Sequence, residues 1–405
     1  MRETPVSALT SVRGRIAAIA GVIVLVLAAG VWVALTRSPA QPAAAAATTR
    51  GAKTAVQHAA DPLQLVSETP ASGATGVSGV PDITITFSAP VAADSPMPTI
   101  TPSVAGSWQG AGTDTLRFVP SAAFSQSTHV TVSVPGGTQG VHSARGGLLA
   151  STTPISFETG TYQPARIPEL LAQLGYLPVT WAPVPGATVP APGDALGQAA
   201  AAYNPPAGTY SWQSGYPSEL QSLWNNGAPN SQIINGAVMA FENDHGLGMD
   251  GVVGPQVWAA LLSAVAAGQS NQNGYTYAIA AENNPETLTI WHNGQQVLSF
   301  LANTGIQAAP TTIGTAPVYL RYRNQIMRGT NPDGTKYADP VQYVAYFRSG
   351  EAVHYFPRGS YGSPQSLGCV ELNLSDAAQA WPYLTYGSLV TVTAGALTPP
   401  GSPTA

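Results

Sequence analysis

The chain has 405 residues, of which 9% are charged, 44% are hydrophobic and one is a cysteine. This length predicts about two to four domains. The net charge of −5 argues against a nucleic-acid partner, because neutralising phosphates requires clustered Lys and Arg. A single cysteine excludes intramolecular disulfides and zinc sites built on cysteines. The spacing of possible ligands suggests no metal site, and no cofactor is expected.

The N-terminal segment predicts in which cellular compartment the rest of the chain lies. Residues 16–35 carry no charged side chain and are almost wholly apolar, and about 20 such residues span a bilayer as a helix. Arg13 and Arg15 precede them, so residues 1–15 are expected to stay in the cytoplasm while the rest is exported. The alternative is a cleaved signal peptide, with the alanines at 45–47 as its cleavage site, although its apolar region is normally shorter.

Two further segments are predicted to lack a core. Residues 36–62 are rich in Ala, Pro and Thr, a composition that buries little apolar surface and is typical of a flexible linker. Residues 396–405 predict a disordered tail. The folded part of the chain is therefore expected to begin near residue 63.

Residues 63–160 predict an all-β domain. Ile83, Ile85 and Phe87 alternate with polar residues, and a period of two buries one face of a strand. Short strands between Gly and Pro turns are typical of a small β-sandwich. The stretch TPASGATGV from Thr69, followed by ITITFS, resembles the bacterial Ig-like domains of envelope proteins.

Residues 164–266 predict a small α-helical bundle. A helical pattern ends at Pro178, a Pro/Gly/Ala-rich insert runs to about Gly208, and the pattern resumes at Pro217. The later sequence GAVMAFENDHGLGMDGVVGPQVW resembles the peptidoglycan-binding three-helix domain. In this chain Glu242 stands where that pattern has Gln. The insert interrupts the first helix, so the resemblance covers mainly the second half.

Residues 272–395 predict a mostly β domain. Several segments alternate like strands, and the pair Asn293-Gly294 is a strong signal for a hairpin turn. One helix is expected from Asp376 to about Leu384, with Ser375 as its N-cap.

The only cysteine and a histidine form a candidate catalytic pair in this domain. His354 lies fifteen residues before Cys369, across a loop rich in turn-forming residues that would let the two side chains meet. An imidazole generates the reactive thiolate, and the N–H groups of Leu367, Gly368 and Cys369 are expected to bind a developing oxyanion. By spacing alone, one cysteine and one histidine are weak evidence for catalysis, because a free cysteine is often just a small buried hydrophobic residue.

The sequence around Cys369 resembles the L,D-transpeptidase catalytic family. That family has a His, a loop, and then Ser/Thr-His-Gly-Cys followed by an apolar residue and Asn or Arg. His354 matches the first His, and Ser366, Gly368, Cys369 and Val370 match the second motif. Further matching segments are Asn303-Thr304-Gly305, the stretch PTTIGT from Pro310, and YGSLVTV from Tyr386.

Two positions depart from the family pattern. Leu367 replaces the second His, and Glu371 replaces Asn or Arg. Arg358 is therefore a candidate replacement for the charge that would hold a substrate carboxylate, and otherwise a solvated surface residue. Tyr337 lies in a segment that is expected to form a lid and contact substrate. The resemblance also implies that the carbonyl of Tyr355 orients the imidazole of His354.

The resemblance implies cross-linking of peptidoglycan. Cys369 would form a thioester with the third residue of a donor tetrapeptide stem and release D-alanine. The side-chain amine of an acceptor stem would then give a 3→3 cross-link, and carbapenem inhibitors would acylate the same thiol. The expected partners are donor and acceptor stem peptides, together with the membrane through residues 16–35. The C-terminal domains would lie outside the cytoplasm at the cell wall.

Two alternatives remain open. Water in place of the acceptor amine gives an L,D-carboxypeptidase at the same site. A catalytically inactive wall-binding or spacer protein, in which the Ig-like and helical parts carry the function, is compatible with the low charge and with the Leu367 and Glu371 departures.

Overall fold

The computed structural model describes residues 60–228 and 230–395. The predicted cytoplasmic segment 1–15, the predicted anchor 16–35, most of the linker 36–62 and the tail 396–405 lie outside these residues. Within the described ranges, no helix is both long and apolar enough to cross a membrane. All described residues belong to one structural unit, His58–Ala405.

The first described domain is a sandwich of two four-stranded sheets, with strand orders β1-β3-β6-β5 and β2-β8-β7-β4. The strands are β1 (Leu65–Thr69), β2 (Ala74–Val77), β3 (Ile83–Phe87), β4 (Thr99–Thr101), β5 (Gly106–Gln109), β6 (Thr115–Pro120), β7 (His129–Val134) and β8 (Thr153–Thr159). Ile83, Ile85 and Phe87 are buried, whereas the threonines between them are half-buried. The predicted β-sandwich is confirmed.

The middle of the chain is mainly helical. Its elements are α1 (Arg166–Gln173), β9 (Val179–Pro183), α2 (Ala195–Tyr203), β10 (Gly208–Trp212), α3 (Ser218–Gln221), α4 (Gln232–Asp244) and α5 (Pro255–Ala266). Pro255 occupies the first turn of α5, where its missing N–H costs nothing. Phe241 and Trp258 are buried in the apolar cluster of this segment.

The Pro/Gly-rich insert is folded, which differs from the predicted interruption. β9 pairs with β10 in an antiparallel ribbon, and α2 begins after Asp194, whose carboxylate accepts the N–H of Gly197. The buried Arg166 of α1 donates to Glu169 and, at 2.6 Å, to Gln198 of α2. These hydrogen bonds fasten the insert to the first helix.

The C-terminal domain contains a five-stranded and a four-stranded sheet, with orders β13-β12-β11-β19-β14 and β15-β16-β17-β18. The elements are β11 (Thr276–Ala281), β12 (Thr287–His292), β13 (Gln295–Leu301), β14 (Gly314–Pro317), β15 (Leu320–Thr330), β16 (Lys336–Arg348), β17 (Glu351–Tyr355), β18 (Val370–Leu372), α6 (Leu374–Ala380) and β19 (Leu389–Thr393). Both sheets and α6 contribute side chains to one buried apolar cluster. The predicted mostly β domain is confirmed.

The predicted hairpin turn of this domain is confirmed, whereas the predicted start and N-cap of its helix are wrong. Asn293 and Gly294 join β12 to β13 with φ of 50° and 76°, as a two-residue hairpin turn requires. The helix α6 begins at Leu374, two residues before the predicted start. Its N-cap is Asn373, whose side chain accepts the N–H of Asp376, and Ser375 lies inside the helix.

The helical segment and the C-terminal domain share a core. The apolar cluster of α1, α4 and α5 also contains Tyr277, Ile279, Trp291 and Leu389 from the five-stranded sheet. α4 packs so closely on the chain before β19 that a Cβ at Gly236 would lie 2.5 Å from the carbonyl of Gly387. The helices therefore cover one face of the five-stranded sheet.

Candidate active site

Cys369 directly precedes β18, the strand beside β17. The two strands run parallel, with Val353 opposite Val370 and His354 opposite Glu371. Side chains two residues apart on a strand project to the same side, so His354, Glu371 and Cys369 share one face of this sheet. The register thus brings the predicted nucleophile and base to the same region.

A neighbouring segment fixes the loop that carries the cysteine. Asn303 exchanges two backbone hydrogen bonds with Glu371, and the carbonyl of Thr304 accepts the N–H of Ser366. The buried carboxylate of Glu286 accepts the N–H of Thr304 at 2.6 Å and its hydroxyl at 2.7 Å. The loop before Cys369 is therefore supported by ordered strand-like contacts.

Ser366 shapes the turn before Cys369. Its hydroxyl donates to the carbonyl of Cys369 at 2.6 Å and accepts the N–H of Gly368 at 3.1 Å. Gly368 has φ of 107°, a conformation that favours glycine. The N–H of Gly368 is thus already used, contrary to its predicted role as an oxyanion donor. The hydrogen bonds of the described residues include none donated by the N–H of Leu367 or Cys369.

The imidazole of His354 is held in one tautomer. Its Nδ1 lies 2.9 Å from the carbonyl oxygen of Tyr355, and because a carbonyl only accepts, Nδ1 carries the proton and Nε2 is left as the basic nitrogen. The predicted partner of the ring, the carbonyl of Tyr355, is therefore observed. Burial lowers the pKa of His354, against a smaller upward effect of the Tyr355 hydrogen bond.

The thiol of Cys369 is protonated at rest. Burial raises its pKa to about 12, and the carboxylates of Glu371 and Glu351 add to the effect. The thiol donates to the carbonyl of Gly350 at 3.8 Å. A raised thiol pKa together with a lowered imidazole pKa favours the neutral forms of both groups over a thiolate–imidazolium ion pair.

The side chains of His354 and Cys369 line one cavity. Its volume is about 600 Å³, and its walls include His354, Leu367, Cys369, Arg358, Tyr337 and Asp339. Cys369 is partly exposed and packs beside Val341, Val344 and Ala352. The thiol is therefore reachable from the cavity, and part of its surroundings is apolar.

Arg358 is not a free charge waiting for a substrate carboxylate. Its Nε and Nη2 donate to the two carboxylate oxygens of Glu371 at 2.7 and 2.8 Å, and Nη2 also donates to the carbonyl of Gln365 at 2.8 Å. Its guanidinium stacks over Phe356, 4.7 Å from the ring centre. The Glu371 departure is thus matched by Arg358, and the pair forms a wall of the cavity. Arg358 is therefore not a solvated surface residue, whereas its contact with a substrate carboxylate stays a prediction.

The segment predicted as a lid belongs to a long hairpin. β15 and β16 pair along their whole length, from Leu320 with Tyr346 to Thr330 with Lys336. Tyr337 lies on β16 and lines the cavity, so the predicted contact with substrate remains open to it. Asp339, two residues further on, also lines the cavity, and the sequence analysis did not identify it.

The described residues contain no group of three or more His, Cys, Asp or Glu side chains that could hold a metal ion.

Comparisons with known proteins concern two parts of the chain. Residues 59–159 match the family described as the bacterial Ig-like domain, and residues 276–392 match the L,D-transpeptidase catalytic domain. No curated protein matches the sequence.

Solved structures of L,D-transpeptidases are similar at low identity. The enzyme from Mycobacterium smegmatis is 15% identical, with a TM-score of 0.28, and the similarity covers 82% of this chain and all of that one. L,D-transpeptidase 3 of Mycobacterium tuberculosis, in complex with a faropenem-derived adduct, is 15% identical over 81% of this chain and 97% of that chain, with a TM-score of 0.27. The catalytic domain of the Enterococcus faecium enzyme is 24% identical over 30% of this chain and 99% of that chain, with a TM-score of 0.27. From the family matches, residues 59–159 form a bacterial Ig-like domain and residues 276–392 form an L,D-transpeptidase catalytic domain.

Proposed function

We propose that this chain is an L,D-transpeptidase that joins peptidoglycan stem peptides by 3→3 cross-links through a thioester on Cys369. One observation carries the proposal. The thiol and the imidazole of His354 line the same cavity of about 600 Å³, and the imidazole is held with its basic nitrogen unprotonated. This is the pairing that a cysteine acyltransferase needs.

The first step acylates the enzyme. The thiol leaves the carbonyl of Gly350 and gives its proton to Nε2 of His354 as the sulfur attacks the carbonyl carbon of the third stem residue. The N–H groups of Leu367 and Cys369 stabilise the oxyanion. The bond to D-alanine then breaks, its nitrogen takes the proton from His354, and D-alanine leaves. A thioester remains on Cys369.

The second step transfers the acyl group. The side-chain amine of a diamino acid on a neighbouring stem attacks the thioester carbonyl, so that a C–N bond forms and the C–S bond breaks. The amine loses its proton to His354, which returns it to the sulfur and restores the thiol. Atoms and protons balance without a cofactor.

The test uses tetrapeptide muropeptides and the described domains, residues 60–395, as wild type and as Cys369→Ala. We expect the wild type to release D-alanine and to form dimers, and the variant to do neither, with mass spectrometry as the readout. Release of D-alanine without dimers would identify an L,D-carboxypeptidase instead. Equal behaviour of the two proteins would leave the spacer alternative.

A carbapenem provides a faster check of the same thiol. We expect Cys369 to open the inhibitor's ring, which adds the whole inhibitor mass to the intact wild-type protein. A single adduct is expected, because the thiol is the chain's only one. Cys369→Ala should show no such adduct. An adduct that persists in Cys369→Ala would place the reaction elsewhere and contradict the proposal.

The proposed location is the outer side of the cell membrane. Residues 16–35 would anchor the chain as a single span, and the Ig-like domain would act as a spacer between the anchor and the catalytic domain. The helical segment would contribute wall binding. The support is the apolar N-terminal sequence with its preceding arginines, together with the cell-wall chemistry proposed for the catalytic domain.

A further inference from the structure

Two carboxylates line the cavity, those of Asp339 and Glu371, and of these two only that of Asp339 lacks a partner in the described part of the chain. Arg358 and Glu371 neutralise each other in a bidentate ion pair. Asp339 also lines the cavity and is half-buried. Among the described residues, no hydrogen bond or ion pair is formed by its carboxylate. A carboxylate that loses water without gaining a donor is costly, so a ligand is expected to supply one.

The register of the hairpin directs Asp339 toward the thiol. Asp339 lies opposite Met327, and on β16 it shares a face with Tyr337 and Val341. Met327 and Val341 pack in the same apolar cluster as Cys369. Alternate residues on this stretch of β16, Lys336 among them, are exposed. The face that carries Asp339 is thus the face that covers the thiol.

Arg328 also lines the cavity. It lies opposite Ala338 and is exposed, and as a cation it does not compete with Asp339 for a positively charged ligand group. Electrostatic effects agree with the placement of Asp339. The hydrogen bonds to Glu371 contribute most to the raised pKa of Arg358, and the charge of Asp339 adds a smaller upward effect. Burial contributes most to the raised pKa of Tyr337, and the charge of Asp339 again adds to it.

We propose that Asp339 binds the side-chain ammonium group of a diamino acid in a stem peptide. The inference rests on the proposed transpeptidase function and adds a specificity-determining residue to it. A half-buried carboxylate forms strong charge-assisted hydrogen bonds with an ammonium group. Donor and acceptor stems both carry such an amine, so the ligand chemistry is shared and the source is an experimental question.

The experiment compares Asp339→Asn and Asp339→Glu with wild type. Asn keeps the shape and removes the charge, whereas Glu keeps the charge. The matched control is Glu158→Gln, which removes one negative charge at an exposed position of the Ig-like domain. KM and kcat are measured separately for a defined donor tetrapeptide and a defined acceptor, using residues 60–395. A donor with an acetylated side-chain amine is included.

We expect Asp339→Asn to raise one KM about tenfold, the size of a partly exposed charge-assisted contact, while kcat changes less. An increase confined to the acceptor KM identifies the acceptor amine. An increase in the donor KM identifies the donor amine, provided that wild type and Asp339→Asn have the same raised KM for the acetylated donor. Either result supports the proposal, provided that Asp339→Glu retains part of the affinity.

Three results would overturn it. In the first, both KM values of Asp339→Asn stay within the change seen for Glu158→Gln. In the second, Asp339→Asn raises the donor KM, but acetylation of the donor amine leaves the donor KM of the wild type unchanged. Equal losses in Asp339→Asn and Asp339→Glu would assign a packing role. A wild type that releases no D-alanine is a separate outcome, because it refutes the proposed function itself. Circular dichroism of each variant checks the fold.

Discussion

At the scale of single residues, the site keeps its sulfur protonated. Burial dominates both pKa shifts, upward for the Cys369 thiol and downward for the His354 imidazole. Each group therefore favours its neutral form near pH 7. In the proposed mechanism the proton moves during attack, when the N–H groups of residues 367 and 369 would compensate the new charge.

This protonation state predicts the pH dependence of alkylation. Only the thiolate reacts with iodoacetamide, so below a thiol pKa of about 12 the rate should rise about tenfold per pH unit. We expect this rise to continue from neutral to alkaline pH without levelling, as measured by intact mass against time. Cys369 is the only cysteine, so Cys369→Ala gives the background.

A thiolate–imidazolium pair would behave differently. Its alkylation rate would already level off in acid and stay constant across neutral pH, as for cysteines with strongly lowered pKa. Such a plateau would contradict the neutral pair.

Single residues also show which parts of the site can be predicted from the sequence and which cannot. Cys369, His354 and Tyr355 were predicted because a spacing and a motif mark them. Asp339 carries no local signal, since its place in the cavity depends on pairing with Met327 across a hairpin. The used N–H of Gly368 likewise follows from the position of one hydroxyl, on Ser366.

At the scale of elements, the connection between β17 and β18 is stabilised by the Arg358–Glu371 pair. Glu371 is buried and Arg358 is partly exposed, so removing either partner leaves the other imperfectly satisfied. The sequence suggested Arg358 as a substrate ligand because Glu371 replaces the Asn or Arg of the family pattern. Only the fold, in which Glu371 lies opposite His354 and binds Arg358, reveals that Arg358 neutralises this departure.

We expect Arg358→Gln and Glu371→Gln each to lower the free energy of unfolding by about 1–3 kcal/mol, the range for hydrogen bonds to charged groups. The double variant should lose less than the sum, with a coupling energy of about 1 kcal/mol or more. Urea unfolding of the four proteins measures this. Strictly additive losses would show that the pair contributes no mutual stabilisation.

Other elements were predicted unevenly for physical reasons. Period-two strands such as β3 and the Asn293-Gly294 turn have strong local signals. The elements β9, α2 and β10 were not predicted, because the insert that contains them is rich in Pro, Gly and Ala. Asp194 before an Ala-rich run was nevertheless an available signal for a helix N-cap. β15 was missed because its sequence, LRYRNQIMRGT, is polar and half-exposed. Its partner β16 supplies the pairing.

At the scale of the whole molecule, the three folded parts are joined unequally. The helical segment shares a buried core with the five-stranded sheet. The sandwich meets the helical segment mainly around Tyr203, whose hydroxyl donates to the carbonyl of Phe124 at 3.4 Å and whose ring packs edge-on against Tyr162. The sandwich is thus the part that is removable with least exposure of apolar surface.

We expect deletion of residues 63–160 to leave cross-linking of soluble muropeptides intact but to reduce cross-linking in cells, because the spacer would be lost. Muropeptide analysis of cells producing each form of the full chain measures the second effect. Deletion of residues 164–266 is the contrasting variant, since it would uncover Tyr277, Ile279 and Trp291 and abolish folding of the catalytic domain. Unchanged cross-linking in cells would refute the spacer role.

The hydrogen bond from the Cys369 thiol to the carbonyl of Gly350 has a further consequence. Peroxides oxidise thiolates far faster than thiols, and the damage beyond sulfenic acid is mostly irreversible. A sulfur that gives up its proton only when a substrate carbonyl is in place is exposed to such oxidation for a small part of each turnover. Cys369 would therefore survive in a compartment without glutathione, with no reductase to regenerate it.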